Sequence, residues 1–510
     1  MSSAFASKIF VADRTRFCLL TALTASLLAV GCIESPPPKF VVNEQTTKLY
    51  KPARAAVEAE LVKNFGEPNR EVVWDKLPID YGTFEGVVEQ PVEHFTDPIT
   101  VKLTRKADSK VPMAASDLRG AGLVWTSGPN AGADTVALTP KGRDLPLDFE
   151  VSHYDPAESK LVIRVTPPEA AQALAPPKAG EKFTVLGPML QQGHKLYMTH
   201  CEHCHGLSGD GKGPTAGYFD IKPRDYRLGR FKFTSTRSSD KARRDDLSHT
   251  IRQGIPGTYM PSFLLFTDEE IGPIVEYVRW LSMRGEFEDK SDAEFASGQY
   301  TSDDVAQRVK GGETRESIDS ALSSYIANEY PQMADSLGTR IGATWSAAEQ
   351  SDALVIPKVA RTADTPESRE RGRKLFHSET AKCAQCHGPA GKGDGPQTED
   401  YQPITGTNKK RTVPGLFDDW GNRIEPRDLT SGIYRGGRRP LDIYRRIYSG
   451  IKGTPMPPFG TALKDEEIWD LVNYAMSLPY ANGSESPEHE LHQSKIASAS
   501  ETGAFGKGEN

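Results

Sequence analysis

The chain has 510 residues, with 62 Lys and Arg against 69 Asp and Glu, a formal net charge of -7 at neutral pH. That length predicts about three domains, and the mild acidity without a basic stripe excludes nucleic acid as an expected partner. A mean hydropathy of -0.51 and 37 prolines describe a water-facing, loop-rich body.

At the N-terminus, Lys8, Arg14 and Arg16 precede an apolar run, FCLLTALTASLLAVG, from Phe17 to Gly31. Its length suits the core of an export signal and is short for a bilayer-spanning helix. The run ends Ala29-Val30-Gly31-Cys32, which resembles a bacterial lipoprotein box, with Ala29 where leucine is usual. The resemblance implies a lipoprotein-type signal peptide over 1–31 and a lipid on Cys32. The mature chain is then expected on the periplasmic side of a membrane, anchored at one end. A signal cleaved without lipid and an uncleaved anchor are the alternatives. Cys18 lies in the signal core, so Cys201, Cys204, Cys383 and Cys386 are the thiols left in the exported body. In an oxidising compartment such thiols are committed to disulfides, metal or covalent adducts.

Residues 32–185 are predicted to form a small mixed α/β or mostly β N-terminal region. Pro52 to Phe65 reads as a helix closed by Gly66, and Ile99–Leu103 and Leu161–Val165 read as strands. The region holds no catalytic constellation, and docking is its expected role.

The next stretch, THCEHCHGLSGDGKGP from Thr199 to Pro214, carries the chemistry. Cys201 and Cys204 stand at i and i+3, on one side of a helical turn, where they can reach two vinyl groups on one porphyrin edge. His205 follows directly and is aimed beneath the ring. Cys383, Cys386 and His387 repeat the pattern. C-x-x-C-H is the attachment signature of c-type haem. Two rival readings fail: a dithiol of the thioredoxin kind lacks its βαβ unit, and the glycine-rich loop lacks the hydroxyl after Lys212 that a phosphate loop needs. A shared four-thiolate zinc site is opposed by the separate downstream features of each pair.

Those features form an internal repeat. Each histidine is followed nine residues on by a proline, Pro214 or Pro396. Pro223-Arg224-Asp225 answers to Pro426-Arg427-Asp428, and GIPGTYMP from Gly254 answers to GIKGTPMP from Gly450. After each methionine comes an amphipathic helix, from Asp268 and from Asp465, each aspartate a predicted N-cap. Before each haem motif stands G-x-x-L-aromatic, at Gly193–Tyr197 and Gly372–Phe376. The glycine there permits a close crossing with the final helix at Tyr277 or Tyr474.

On these motifs the chain resembles a tandem of two class I c-type cytochrome domains, expected over 186–285 and 366–481, in a mainly α fold. The resemblance implies two haem c groups, bonded to Cys201 and Cys204 and to Cys383 and Cys386. Their irons would be ligated by His205 and Met260 and by His387 and Met456. It also implies that the carbonyls of Pro214 and Pro396 accept the other ring N–H of the proximal histidines. A thioether ligand stabilises ferrous iron relative to a second imidazole, which raises the potential. His194, His200, His249 and His377 are weaker candidates for distal ligands. Arg224 and Arg427 suit haem propionates, ion pairs with Asp225 and Asp428, or contacts to a partner.

A charged, partly helical connector is expected over 286–365, including a helix from Ser317 to Tyr330, and a disordered tail over 482–510. The expected function is electron transfer, not enzymatic turnover, by a membrane-tethered dihaem cytochrome c of a respiratory chain. Its partners would be a protein donor and acceptor, with no small-molecule substrate. The alternatives are a dihaem peroxidase or other haem enzyme, and a subunit through which electrons reach a larger respiratory complex.

Overall fold

In a computed structural model the described residues are 38–480, apart from 69, 83, 95–98, 105–121, 130–135, 139–143, 147, 156–159, 167–174 and 405–406. The expected signal, Cys32 and the tail lie outside them. The architecture is mainly α, with two helical domains of the same plan in tandem.

Each domain is built on one helix crossing. In the first, Pro188–His200 crosses Asp268–Ser297; in the second, Pro366–Phe376 crosses Asp465–Ser477. The expected glycines sit at the points of contact. A methyl group on Gly193 would overlap the Pro273 carbonyl, and one on Gly372 would overlap that of Asp470. Both would also come within 2.8 Å of Tyr277 or Tyr474 Cβ. Pro273 leaves the Glu269 carbonyl without its helical donor, and the Gln192 side-chain amide from the crossing helix donates to that oxygen at 3.4 Å. The aromatic of each G-x-x-L-aromatic motif then packs on the tyrosine of the closing helix: Tyr197 on Tyr277 at 5.2 Å and Phe376 on Tyr474 at 5.4 Å between ring centroids.

Two local expectations are corrected. The N-caps of the closing helices are Thr267 and Lys464, one residue before the predicted aspartates. Glu270 and Glu467 reach back to accept the N–H of those caps at 2.9 and 2.8 Å, so the third-turn glutamate closes the end whatever the cap residue is. The boundary expected at 285 falls inside a helix. Asp268–Ser297 runs for 30 residues, and the connector begins only with Ser302–Lys310, followed by Arg315–Asn328 and Tyr330–Ala348.

The N-terminal region divides in two. The helix Lys51–Phe65, ended by Gly66 at φ 76 as predicted, does not belong to a separate module. It buries Ala53, Val57, Leu61 and Phe65 in the core of the first helical domain and connector. Phe65 lies 5.7 Å from both Trp280 and Phe287. The remainder is a six-stranded antiparallel sheet in the order 122–125, 182–186, 84–88, 99–104, 160–166, 148–155. Trp125 and Phe183 pack on it at 5.6 Å.

The two helical domains are joined by more than the connector. The segment 230–240 of the first runs along the helix Pro440–Ser449 of the second. Arg446 donates to the carbonyls of Lys232, at 3.0 Å, and Thr234. Ser449 Oγ donates to the Thr236 carbonyl at 2.8 Å.

Candidate functional site

Both cysteine pairs fall on one short helical turn, Glu202–His205 after Cys201 and Cys383–His387. The glycine-rich loop that follows folds back to cap that turn. Gly211 N–H donates to the His205 carbonyl and Gly213 N–H to that of Cys204, at 2.9 and 3.1 Å; Gly393 and Gly395 do the same for His387 and Cys386 at 2.8 and 3.1 Å. Gly211 and Gly393 stand at φ 71 and 84, where a side chain is strained. The loop is glycine-rich because it must pack on the cysteine turn, a role with no need of phosphate.

The four described cysteines are free of disulfides. Burial pushes the thiols of Cys201 and Cys383 up to about 12 and raises that of Cys386. Such thiols are poor thiolates, which removes the chemistry of an exchanging dithiol. Among the described residues no group of three or more His, Cys, Asp and Glu is placed to hold a metal ion.

The proximal histidines are oriented by main-chain carbonyls, but not by the expected ones. His205 Nδ1 lies 3.4 Å from the Arg224 carbonyl, and His387 Nδ1 lies 3.0 Å from that of Arg427. Pro214 and Pro396 are exposed. The preceding glycines are pinned to the cysteine turn, which carries each proline past the ring to the surface. With Nδ1–H donating, the other ring nitrogen keeps its lone pair. Burial pushes His205 down to about 4, against the opposing effect of the Arg224 carbonyl, and lowers His387 in the same way. Both imidazoles are therefore neutral near pH 7, the form that binds a metal.

The methionines are presented by matching turns. Met260 accepts from Ile255 N–H at 3.2 Å and its own N–H reaches Thr258 Oγ1 at 3.2 Å; Met456 repeats this with Ile451 and Thr454 at 3.2 and 3.3 Å. All eight residues singled out by sequence meet at one continuous cavity of about 1250 Å³: Cys201, Cys204, His205, Met260, Cys383, Cys386, His387 and Met456. A pocket for one drug-sized ligand is roughly 300–1,000 Å³, so this space exceeds the need of a single such group. Its walls include Phe231, Leu247, Ile251 and Phe263 from the first domain and Leu416, Ile443, Ile447 and Phe459 from the second.

The weaker histidine candidates are otherwise engaged or placed. His194 bonds Glu71 Oε1 at 2.5 Å and lies 3.1 Å from the Tyr277 hydroxyl, while His200 packs edge-on against Phe263 and Phe266. His249 and His377 do not line the cavity.

Several cavity residues escaped the sequence reading. Trp420, Lys232, Arg435 and Arg446 stand at or beside the seam between the domains and have no matching member in the other repeat, so periodicity could not flag them. Tyr226 also lines the cavity; it directly follows Pro-Arg-Asp, where the other repeat has Leu429. Arg224 and Arg427 were noticed, and the ion-pair alternative does not hold for them. Asp225 is taken by Arg227 at 2.8 Å, and Asp428 accepts from Thr430 Oγ1 at 2.6 Å.

The donor set fits covalently bound haem: two thiols on one turn, a neutral imidazole beside them, a thioether at the same cavity, and a cationic guanidinium whose two terminal nitrogens are buried without a partner. Two segments of the chain, 190–282 and 369–479, match the family model described as Cytochrome c. These are cytochrome c domains, which carry haem iron for electron transport. No curated protein matches the chain. A solved structure similar to it is the reducing HAO-like protein complex of Kuenenia stuttgartiensis, 25% identical over 56% of this chain and 95% of that one, with a TM-score of 0.39.

Proposed function

We propose, from two cytochrome c domains that open on one cavity, that the chain is a dihaem cytochrome c that carries electrons between protein partners. Haem, when bound, supplies a one-electron ferric/ferrous couple. The chain supplies everything around it. Cys201 with Cys204, and Cys383 with Cys386, fix each porphyrin through sulfur. His205 and His387 offer the lone pair that the Arg224 and Arg427 carbonyls leave free, and Met260 and Met456 occupy the opposite coordination position. An internal ligand on both sides leaves no position for peroxide, which separates an electron carrier from a haem peroxidase. Apolar walls keep water from the iron and favour its less charged state.

The observation that carries this reading is the convergence of both Cys-Cys-His-Met sets on one cavity. Placement belongs to the same proposal: a lipid on Cys32 holds the chain at the periplasmic side of a membrane, where it serves a respiratory chain. Among the described residues no helix is long and apolar enough to cross a membrane, so the tether proposed is the lipid.

Absorbance of the alkaline pyridine adduct, set against protein mass, is expected to give two haems per chain. In the ferric protein, M260A and M456A are each expected to remove part of the weak sulfur-to-iron charge-transfer band at the red end of the spectrum, and the double variant all of it. A single haem per chain, or a band untouched by both substitutions, overturns the ligand assignment. Rapid peroxide turnover by the resting protein favours the enzyme instead.

A further inference from the structure

The two Pro-Arg-Asp segments tie the two sites together in opposite directions. The Arg224 carbonyl accepts from His205 in its own domain, but its side chain reaches into the other domain. The guanidinium lies over the Trp420 ring at 4.0 Å from the centroid, and a methyl group on Gly453 would stand 2.9 Å from its Nη1. Gly453 is three residues before Met456. Arg427 repeats the relation: its carbonyl takes His387, and a methyl group on Gly257, three residues before Met260, would stand 3.3 Å from its Nη1. Each arginine therefore orients the histidine of its own site through the backbone and places its charge at the methionine loop of the other.

The two guanidinium groups differ in what they have left to bind. Arg427 donates from Nε to the Ile433 carbonyl at 2.9 Å and from Nη2 to Ser431 Oγ at 3.2 Å. Arg224 has no such neighbours: both terminal nitrogens are shielded from solvent and without a hydrogen-bond partner among the described residues. The nearby carboxylates are committed elsewhere, Asp225 to Arg227 at 2.8 Å, Asp419 to Arg230 at 2.7 Å, and Asp418 to the N–H groups of Trp420 and Asn422. Burial pushes Arg224 down only to about 10, so it remains a cation. A buried guanidinium with free donors beside a cavity calls for an anion, and the porphyrin that the cysteines would bind carries carboxylates.

We propose that Arg224 and Arg427 form a reciprocal pair that couples the two redox sites, with Arg224 binding a porphyrin carboxylate at the seam between the domains. The proposal rests on the dihaem reading above. A unit charge buried about 10 Å from a redox centre changes its reduction equilibrium by roughly tenfold at an effective dielectric of about 20. Coupling means that one arginine moves both centres, whereas an arginine serving its own domain moves one.

The test is a spectroscopic redox titration of the full-length holoprotein, with haem counted in each variant. R224Q is expected to keep two haems per chain and to lower the reduction equilibrium constant of both centres by about tenfold, ~59 mV each for one electron. R224K keeps the charge but not the fork, and is expected to restore at least half of the shift. R427Q is expected to move both centres in the same direction and by less, because that side chain stands nearer solvent. Should R224Q fail to accumulate, G453A displaces the guanidinium from the other domain and is expected to shift both midpoints too. Two haems with neither midpoint moved, or only one moved, or R224K tracking R224Q, overturns the coupling. A wild-type chain with one haem overturns the dihaem reading beneath it, and the coupling with it.

Discussion

The Tyr226 hydroxyl donates to that of Tyr197 at 2.6 Å, and Tyr197 donates to the Gly206 carbonyl, one residue past His205, at 2.7 Å. Burial raises both phenols well above their usual range, so they stay protonated and the chain of bonds holds. The second domain has Phe376 and Leu429 at the matching places, so both polar partners are replaced together, the arrangement that costs least. Y197F alone strands a buried hydroxyl and a carbonyl. Its expected cost is about 1–3 kcal/mol in urea unfolding, with the haem count unchanged, and Y197F/Y226F is expected to recover part of it. A double variant weaker than Y197F would contradict this. At this scale the cysteines, histidines and methionines were legible because haem chemistry dictates their type and spacing. The carbonyls behind the histidines were not, because a proline at the expected spacing says nothing about where the loop before it is pinned.

Among the elements, the crossing glycines could be read in advance, since a close helix contact demands a residue without a side chain. The long closing helix could not. Past residue 285 its sequence is charged and reads as connector, yet Arg284, Glu286, Glu288 and Asp292 are buried, because the segment around Thr46 and the helix Tyr330–Ala348 cover them. One Thr46 hydroxyl faces both Glu288 Oε1 at 2.8 Å and Asp292 Oδ2 at 2.7 Å, and it has a single proton to give. Burial, with Glu288 and Asp289 nearby, raises Asp292 to about 7. An unfolded aspartate titrates near ~3.9, so between about pH 4 and 7 the folded state holds a proton that the unfolded state has released. Stability is then lost as pH rises through that window. D292N keeps an acceptor for Thr46 and removes the charge. It is expected to stabilise the protein by about 1–2 kcal/mol at pH 8 and hardly at all at pH 4, read by urea unfolding at both. An equal effect at the two values would exclude Asp292 as the titrating group.

For the whole molecule, the decisive feature is the seam between the domains. Burial pushes Arg446 down to about 10 while Asp246 and Asp442 oppose it. It donates across the seam to the carbonyls of Lys232 and Thr234, and the connector adds Val355 N–H to the Ser235 carbonyl at 2.9 Å. R446M preserves most of the stem and strands two carbonyls, for an expected loss of about 2–3 kcal/mol. If the seam makes the domains unfold together, calorimetry of the holoprotein shows one transition for the wild type and two for R446M. One undivided transition in both would mean that the connector alone holds them.

The chain's own order of residues determined the two C-x-x-C-H turns, the methionine loops and the helices that cross before and after them, because each is a local pattern with a chemical reason for its spacing. Only the tertiary structure decided that the two sites share a cavity, that Lys51–Phe65 belongs to the first helical domain, and that each Pro-Arg-Asp arginine serves two sites at once. Those contacts join residues hundreds of positions apart, or lie at a seam that occurs once, and a periodicity is silent about what is not repeated.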